Sequence, residues 1–447
     1  MPPAANQHAK MKTRTTSLTS RTLFTHRLLL VQTLGLMVVF AAILIHGYQG
    51  RHWSAVQSFQ INDSWCNQGH EGIGAHCFGD FGLPYNRGLR EFVYSPDNYA
   101  AANTPLTAAL FEVLRLVPYN FALTLYLLAL LSSIAVPFLV YLRRIDLTIR
   151  LQLLVLTGVA TSGSIAAIDR GNHVALIVPL LIGYLLAINQ EQWRRATVLL
   201  VLIAMLKFWG IVFIIALLAR RQFSKSIVAA TAACTASLAI LWAFPQSLST
   251  SLKAMMSMAG NRDYANSVAG FSISIQSLLR RIDCVFSDQE WCNTKLSGDA
   301  LLSSTVVSLL VVLVLSAIAL CLYASKRVPH QISSAAVVSL GFLAVPEAPV
   351  YNQVLVTALV VVVVAQAEVQ IPPGWMSSSV ALLFAVAVST LPVTLYSNGI
   401  SRWASGSGEG LPVFRSDFWL VPLSWVAFLI VAILDYWRSR SLQNEKQ

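Results

Sequence analysis

Apolar runs of about 20 residues recur from one end of this chain to the other, and each is long enough to cross a hydrocarbon core of about 30 Å as a helix. The first covers residues 28–47, further runs of that order fall at 119–142, 151–168, 226–244, 301–323, 377–396 and 418–437, and shorter spans fit 173–188, 332–345 and 354–364. A backbone in lipid must satisfy its own polar groups, so only helices or a closed barrel can answer such a pattern. The alternation of a barrel strand is missing, and a composition 56% hydrophobic against 11% charged excludes a water-soluble fold. The expectation is an all-α, polytopic integral membrane protein of about 11 to 13 passes.

The formal net charge of +11 is topological in origin. Its lysines and arginines cluster at the ends of the runs: Lys10, Lys12, Arg14, Arg21 and Arg27, then Arg143, Arg144 and Arg150, Arg194 and Arg195, Arg220, Arg221 and Lys225, Lys326 and Arg327, and finally Arg438, Arg440 and Lys446. Placing all of them on the cytoplasmic side gives one consistent threading. The bilayer is therefore the expected partner and nucleic acid is not. The division is a basic cytoplasmic tail at 1–27, one membrane domain at 28–437 and a cytoplasmic tail at 438–447. The run at 28–47 is too long for a cleaved signal core and is read as a retained anchor.

Two long outside segments follow from this threading, at about 48–118 and 245–300. Loops of that length usually carry function. Within the first, residues 104–117 are amphipathic and suit the membrane interface. Cys66 and Cys77 share the first segment, Cys284 and Cys292 the second, and two local bridges suit an oxidising exterior. Spacing alone leaves the connectivity, and the alternative of free thiols, open.

Residues 196–219 are apolar apart from Lys207 in the middle. A single span would bury that charge at a cost of roughly 2.5 to 3.5 kcal/mol, whereas two half-length helices meeting at Lys207 put it at a turn and return Arg220 and Arg221 to the cytoplasm. The second arrangement keeps every later basic cluster on the same side, and is the one expected. Of the few outside carboxylates, Asp80 stands in a Gly-Asp-Phe-Gly setting, where it can act as a general base or simply cap a turn. Lys207, Arg170, Arg280 and Arg281 are cations on the outer side that suit a phosphate with a lipid tail, or snorkel at the interface. His46, His52, His70 and His76 lack a metal-ligand spacing, so no metal and no cofactor is assigned.

Cys77-Phe-Gly-Asp80-Phe-Gly-Leu-Pro-Tyr85-Asn-Arg-Gly88, Asn103-Thr-Pro105-Leu106, Asp169-Arg-Gly-Asn172 and Leu206-Lys207-Phe208 occur in this order. Across about 28–365 the sequence resembles the family-87 glycosyltransferases of the type C membrane fold, which act on polyprenyl-phosphate sugars. The resemblance implies that Asp80 is the catalytic base, that Lys207 with Arg170 faces the donor phosphate, and that Asn172 supports them. It also brings Tyr85, Asn103, Gln276, Glu347 and Gln353 into a supporting set. The implied activity is inverting transfer of mannose or arabinofuranose from the lipid-phosphate donor to a cell-envelope glycan or glycolipid outside a bacterial plasma membrane. A twelve-span transporter, a lipid-linked sugar flippase or a scaffold is the alternative, opposed by the two long polar loops and the lack of repeats.

Overall fold

The computed structural model describes residues 25–35, 37, 78, 80–82, 85, 104–243, 247–259, 274–286, 298–345, 350–366, 372–390 and 416–444. Among them the chain is helical, without strands. Among the described residues, five helices are long and apolar enough to cross a membrane alone, and six shorter apolar ones accompany them. The protein is an all-α polytopic membrane protein.

After a helical stretch at residues 25–35, the helices with described bounds are, in chain order, α1 (Pro105–Leu114), α2 (Tyr119–Tyr141), α3 (Leu147–Leu153), α4 (Ser162–Arg170), α5 (Ile177–Asn189), α6 (Trp193–Leu206), α7 (Ile214–Ala219) and α8 (Phe223–Trp242). They continue as α9 (Leu248–Ala259), α10 (Ile275–Phe286), α11 (Gly298–Ala324), α12 (His330–Leu343), α13 (Val354–Ala365), α14 (Met376–Thr390) and α15 (Ser416–Asn444). α5, α12 and α13 form the centre. Every residue of α12 from Gln331 onward and every residue of α13 up to Val364 is buried; α13 is apolar all round, and α12 adds only Gln331 and small serines. Around them α2, α8 and α11 turn leucines, valines and isoleucines outward, including Leu128, Ile227 and Leu313, toward what a bilayer would supply.

One expected span is broken. The run 151–168 is divided among α3, a π-helical continuation at Leu154–Val159, and α4, which starts afresh at the N-cap Thr161. The wide π turn releases the Thr157 carbonyl, which accepts a 3.0 Å bond from the Thr357 hydroxyl of α13. The segment 245–300, read from sequence as an outside loop, is helical where described, as α9, α10 and the start of α11. At the C-terminus α15 runs on through the residues read as a tail.

The expected break at Lys207 is present. α6 stops at Leu206, Lys207 is extended (φ −143°, ψ 120°), and a 3-10 turn at Phe208–Phe213 leads into α7. Both outer ends of this hairpin lie at one level: the Tyr323 hydroxyl of α11 donates to Asn189 at the end of α5, and the Arg220 guanidinium lies 5.1 Å over the Tyr323 ring. At about 1.5 Å per residue, the 14 residues of α6 place Lys207 about 21 Å above that level, short of a full crossing.

Candidate active site

The site begins with a loop pinned by aromatics. Phe78 adopts positive φ (62°), and its carbonyl accepts from Phe81 N at 2.9 Å and Gly82 N at 2.7 Å, which turns the chain so that Asp80 and Phe81 diverge. Phe81 is fully buried, with the rings of Tyr85, Phe111, Tyr119 and Tyr126 centred 5.1 to 5.7 Å away. Tyr85 donates its hydroxyl to the Val117 carbonyl at 2.6 Å, so its work is to fasten the loop to the α1–α2 junction. Asp80, on the other side of the turn, stays half-buried.

The second component is the turn after α4. Gly171 ends that helix in the left-handed region (φ 64°), and a Cβ there would stand 3.0 Å from the Cβ of Phe81, so the turn and the loop are packed as one body. Asn172 then caps the 3-10 turn His173–Leu176, its Oδ1 accepting from Val174 N at 3.0 Å. With the amide oxygen committed, the Nδ2 side faces Asp80 and donates to Oδ2 at 2.5 Å. Asp80 and Asn172, far apart in sequence, are thus brought into direct contact.

Next to Asn172, His173 is buried at 1% exposure. Its ring approaches the Leu206 carbonyl and Lys207 without either nitrogen reaching hydrogen-bond geometry. The end of α6 is held from the far side by α1: the Thr104 and Thr107 hydroxyls each lie 3.2 Å from the Leu206 carbonyl and 2.9 Å from one another. A carbonyl orphaned by the helix break is thereby satisfied, and the backbone at Lys207 is fixed. The buried Tyr126 hydroxyl lies within electrostatic reach of Asp80 and forms no hydrogen bond among the described residues.

Asp80 and Asn172 are in contact, and His173, next to Asn172 in the chain, lies within electrostatic reach of Lys207. Gln353 sits behind them: a Cβ on Gly163 of α4 would stand 2.5 Å from Val354 N and 2.8 Å from the Gln353 Cβ, so this end of α13 braces the helix that leads into Asn172. Gln276 is on α10, which packs against α11 and α15. Asn103, Glu347, Cys66, Cys77 and Cys292 lie outside the described residues, as do the side chains of Arg170, Arg280, Arg281 and Cys284. His173, Thr104, Thr107 and Tyr126 were not singled out from sequence, although His173 directly follows the Asp-Arg-Gly-Asn motif and Thr104 precedes a proline at a helix start, which is an N-cap signature.

This is a helical membrane protein with a carboxylate bonded to an amide, and a lysine at the end of α6 away from Arg194 and Arg195. A family model described as Glycosyltransferase family 87 matches residues 102–346, more than half of the chain, and the chain belongs to that family. It is a membrane glycosyltransferase by family. The matched range contains Asn172, His173 and Lys207, and begins after Asp80. No curated protein and no solved structure matches the chain.

Proposed function

We propose that this protein transfers a sugar, mannose or arabinofuranose, from a polyprenyl-phosphate donor to a hydroxyl of a cell-envelope glycan or glycolipid, with inversion, at the extracytoplasmic face of a bacterial plasma membrane. The observation that carries the reading is the Asp80–Asn172 contact beside the Lys207 apex, on the face away from the basic clusters. The Asp80 carboxylate takes the proton of the acceptor hydroxyl while that oxygen attacks the anomeric carbon. The bond from that carbon to the donor phosphate breaks, and its electron pair stays on the phosphate. Lys207, with Arg170, Arg280 and Arg281, offsets the charge that develops there. Asn172, by bonding Oδ2, keeps the carboxylate aimed.

The test is to incubate the purified protein with polyprenyl-phosphomannose and polyprenyl-phosphoarabinofuranose and an extracted envelope glycan, and to measure lipid phosphate released and sugar transferred. Release of lipid phosphate matched by sugar on the acceptor supports the reading. No release from either donor, in a preparation that remains folded, overturns it.

A further inference from the structure

Four helix ends meet on the basic face, well away from Asp80. Asn189 closes α5, Arg220 follows α7, Tyr323 stands near the end of α11, and His330 opens α12. They are joined in fact as well as in sequence. The Tyr323 hydroxyl donates to Asn189 at 3.0 Å, Asn189 donates to the Ser334 hydroxyl of α12 at 3.4 Å, and Arg220 lies over the Tyr323 ring. His330 is exposed and close enough to Arg220 to feel its charge.

What this cluster lacks, among the described residues, is an anion. Arg220 is half-buried, its Nε is buried without an acceptor, and it forms no ion pair among the described residues. Glu191, in the turn after α5, makes none with it. The N-cap of α12 is Pro329, which offers no side chain to the first N–H groups of that helix. The turn before it adds the exposed Lys326 and Arg327. A half-buried guanidinium, a helix N-terminus and an imidazole converging without a carboxylate among the described residues match the donor set that holds a phosphate. Basic sites between helices on the cytoplasmic side are where anionic headgroups lodge.

We propose that this cluster binds the phosphate of an anionic lipid in the leaflet on the basic face, with Arg220 as the principal contact. The site is separate from the transfer chemistry. The phosphate can belong to a glycerophospholipid or to a polyprenyl phosphate, and the experiment separates these sources.

Purified protein is equilibrated in turn with phosphatidylglycerol, polyprenyl phosphate and diacylglycerol, and retained lipid is counted by native mass spectrometry. The wild type should retain one or both phosphate lipids over diacylglycerol, the better-retained one naming the source. Arg220→Gln should lower that retention at least tenfold, and Arg143→Gln, which changes an exposed arginine on the same face, should not. His330→Glu supplies an internal carboxylate to Arg220, and should expel the lipid even if Arg220→Gln fails to fold. Equal retention by wild type and Arg220→Gln, equal losses in Arg143→Gln and Arg220→Gln, or full retention in His330→Glu would each overturn the proposal.

Discussion

Two aspartates are held inside this helical bundle, and they are held in opposite ways. Asp435 on α15 is 3% exposed, and its Oδ2 accepts from the backbone N–H of Ser378 at 2.9 Å and from the Ser378 hydroxyl at 2.7 Å. Ser378 is in the first turn of α14, so Asp435 is a helix cap supplied from a neighbouring helix. Asp80 is half-buried, on a three-residue turn, and is gripped by the side-chain amide of Asn172. The two differ in depth and in the kind of partner: backbone groups that would otherwise be orphaned in one case, a second side chain fixed by its own cap in the other.

That contrast yields an ordered set of outcomes. Asp80→Asn removes the basic oxygen while keeping size, and should slow sugar transfer by about 10² to 10⁴-fold with an unchanged unfolding temperature; steady-state turnover and a thermal melt read both. Lys207→Met should insert at least as well as the wild type, because a charge within an apolar run is removed. Loss of a charge-assisted contact of about 1.5 to 3 kcal/mol should weaken donor binding at least tenfold, measured by titration with a non-reacting donor analogue. Asp435→Ala leaves the Ser378 donors unpaired and should destabilise the protein by about 2 kcal/mol, with turnover per folded molecule kept. Gly171→Ala must adopt the left-handed region at about 1 to 2 kcal/mol and pushes on Phe81, so it should lower the melting temperature modestly and slow transfer by displacing Asn172. A mutant of Asp435 that melts normally but does not transfer would collapse the contrast.

Where the sequence could be read, a single physical quantity was extreme. Uncharged runs of membrane length set the all-α polytopic class, and a lone lysine at the centre of residues 196–219 located the helix break. The break at Thr161 was hidden because the residues around it, among them Thr157, Ser162 and Ser164, are polar but uncharged and small enough to pass in an apolar run. Asp435 passed without notice inside the run 418–437, since nothing in its own neighbourhood reveals that Ser378 will stand opposite. The site was half legible for the same reason. Asp80, Asn172 and Lys207 sit in local motifs, whereas the grip of Thr104 and Thr107 on the Leu206 carbonyl spans about a hundred residues and exists only once α1 packs on α6.

The most direct test of the central claim, that Asp80 removes a proton, is to supply a nucleophile that has none to lose. Azide is anionic at neutral pH and attacks without a base, so Asp80→Ala should transfer little sugar to its hydroxyl acceptor but form inverted glycosyl azide and release lipid phosphate when azide is added. Asp435→Ala should continue to use the hydroxyl acceptor with no need of azide. If Asp80→Ala binds donor normally yet azide restores no cleavage, or if it still uses the hydroxyl acceptor at the wild-type rate, Asp80 is not the base.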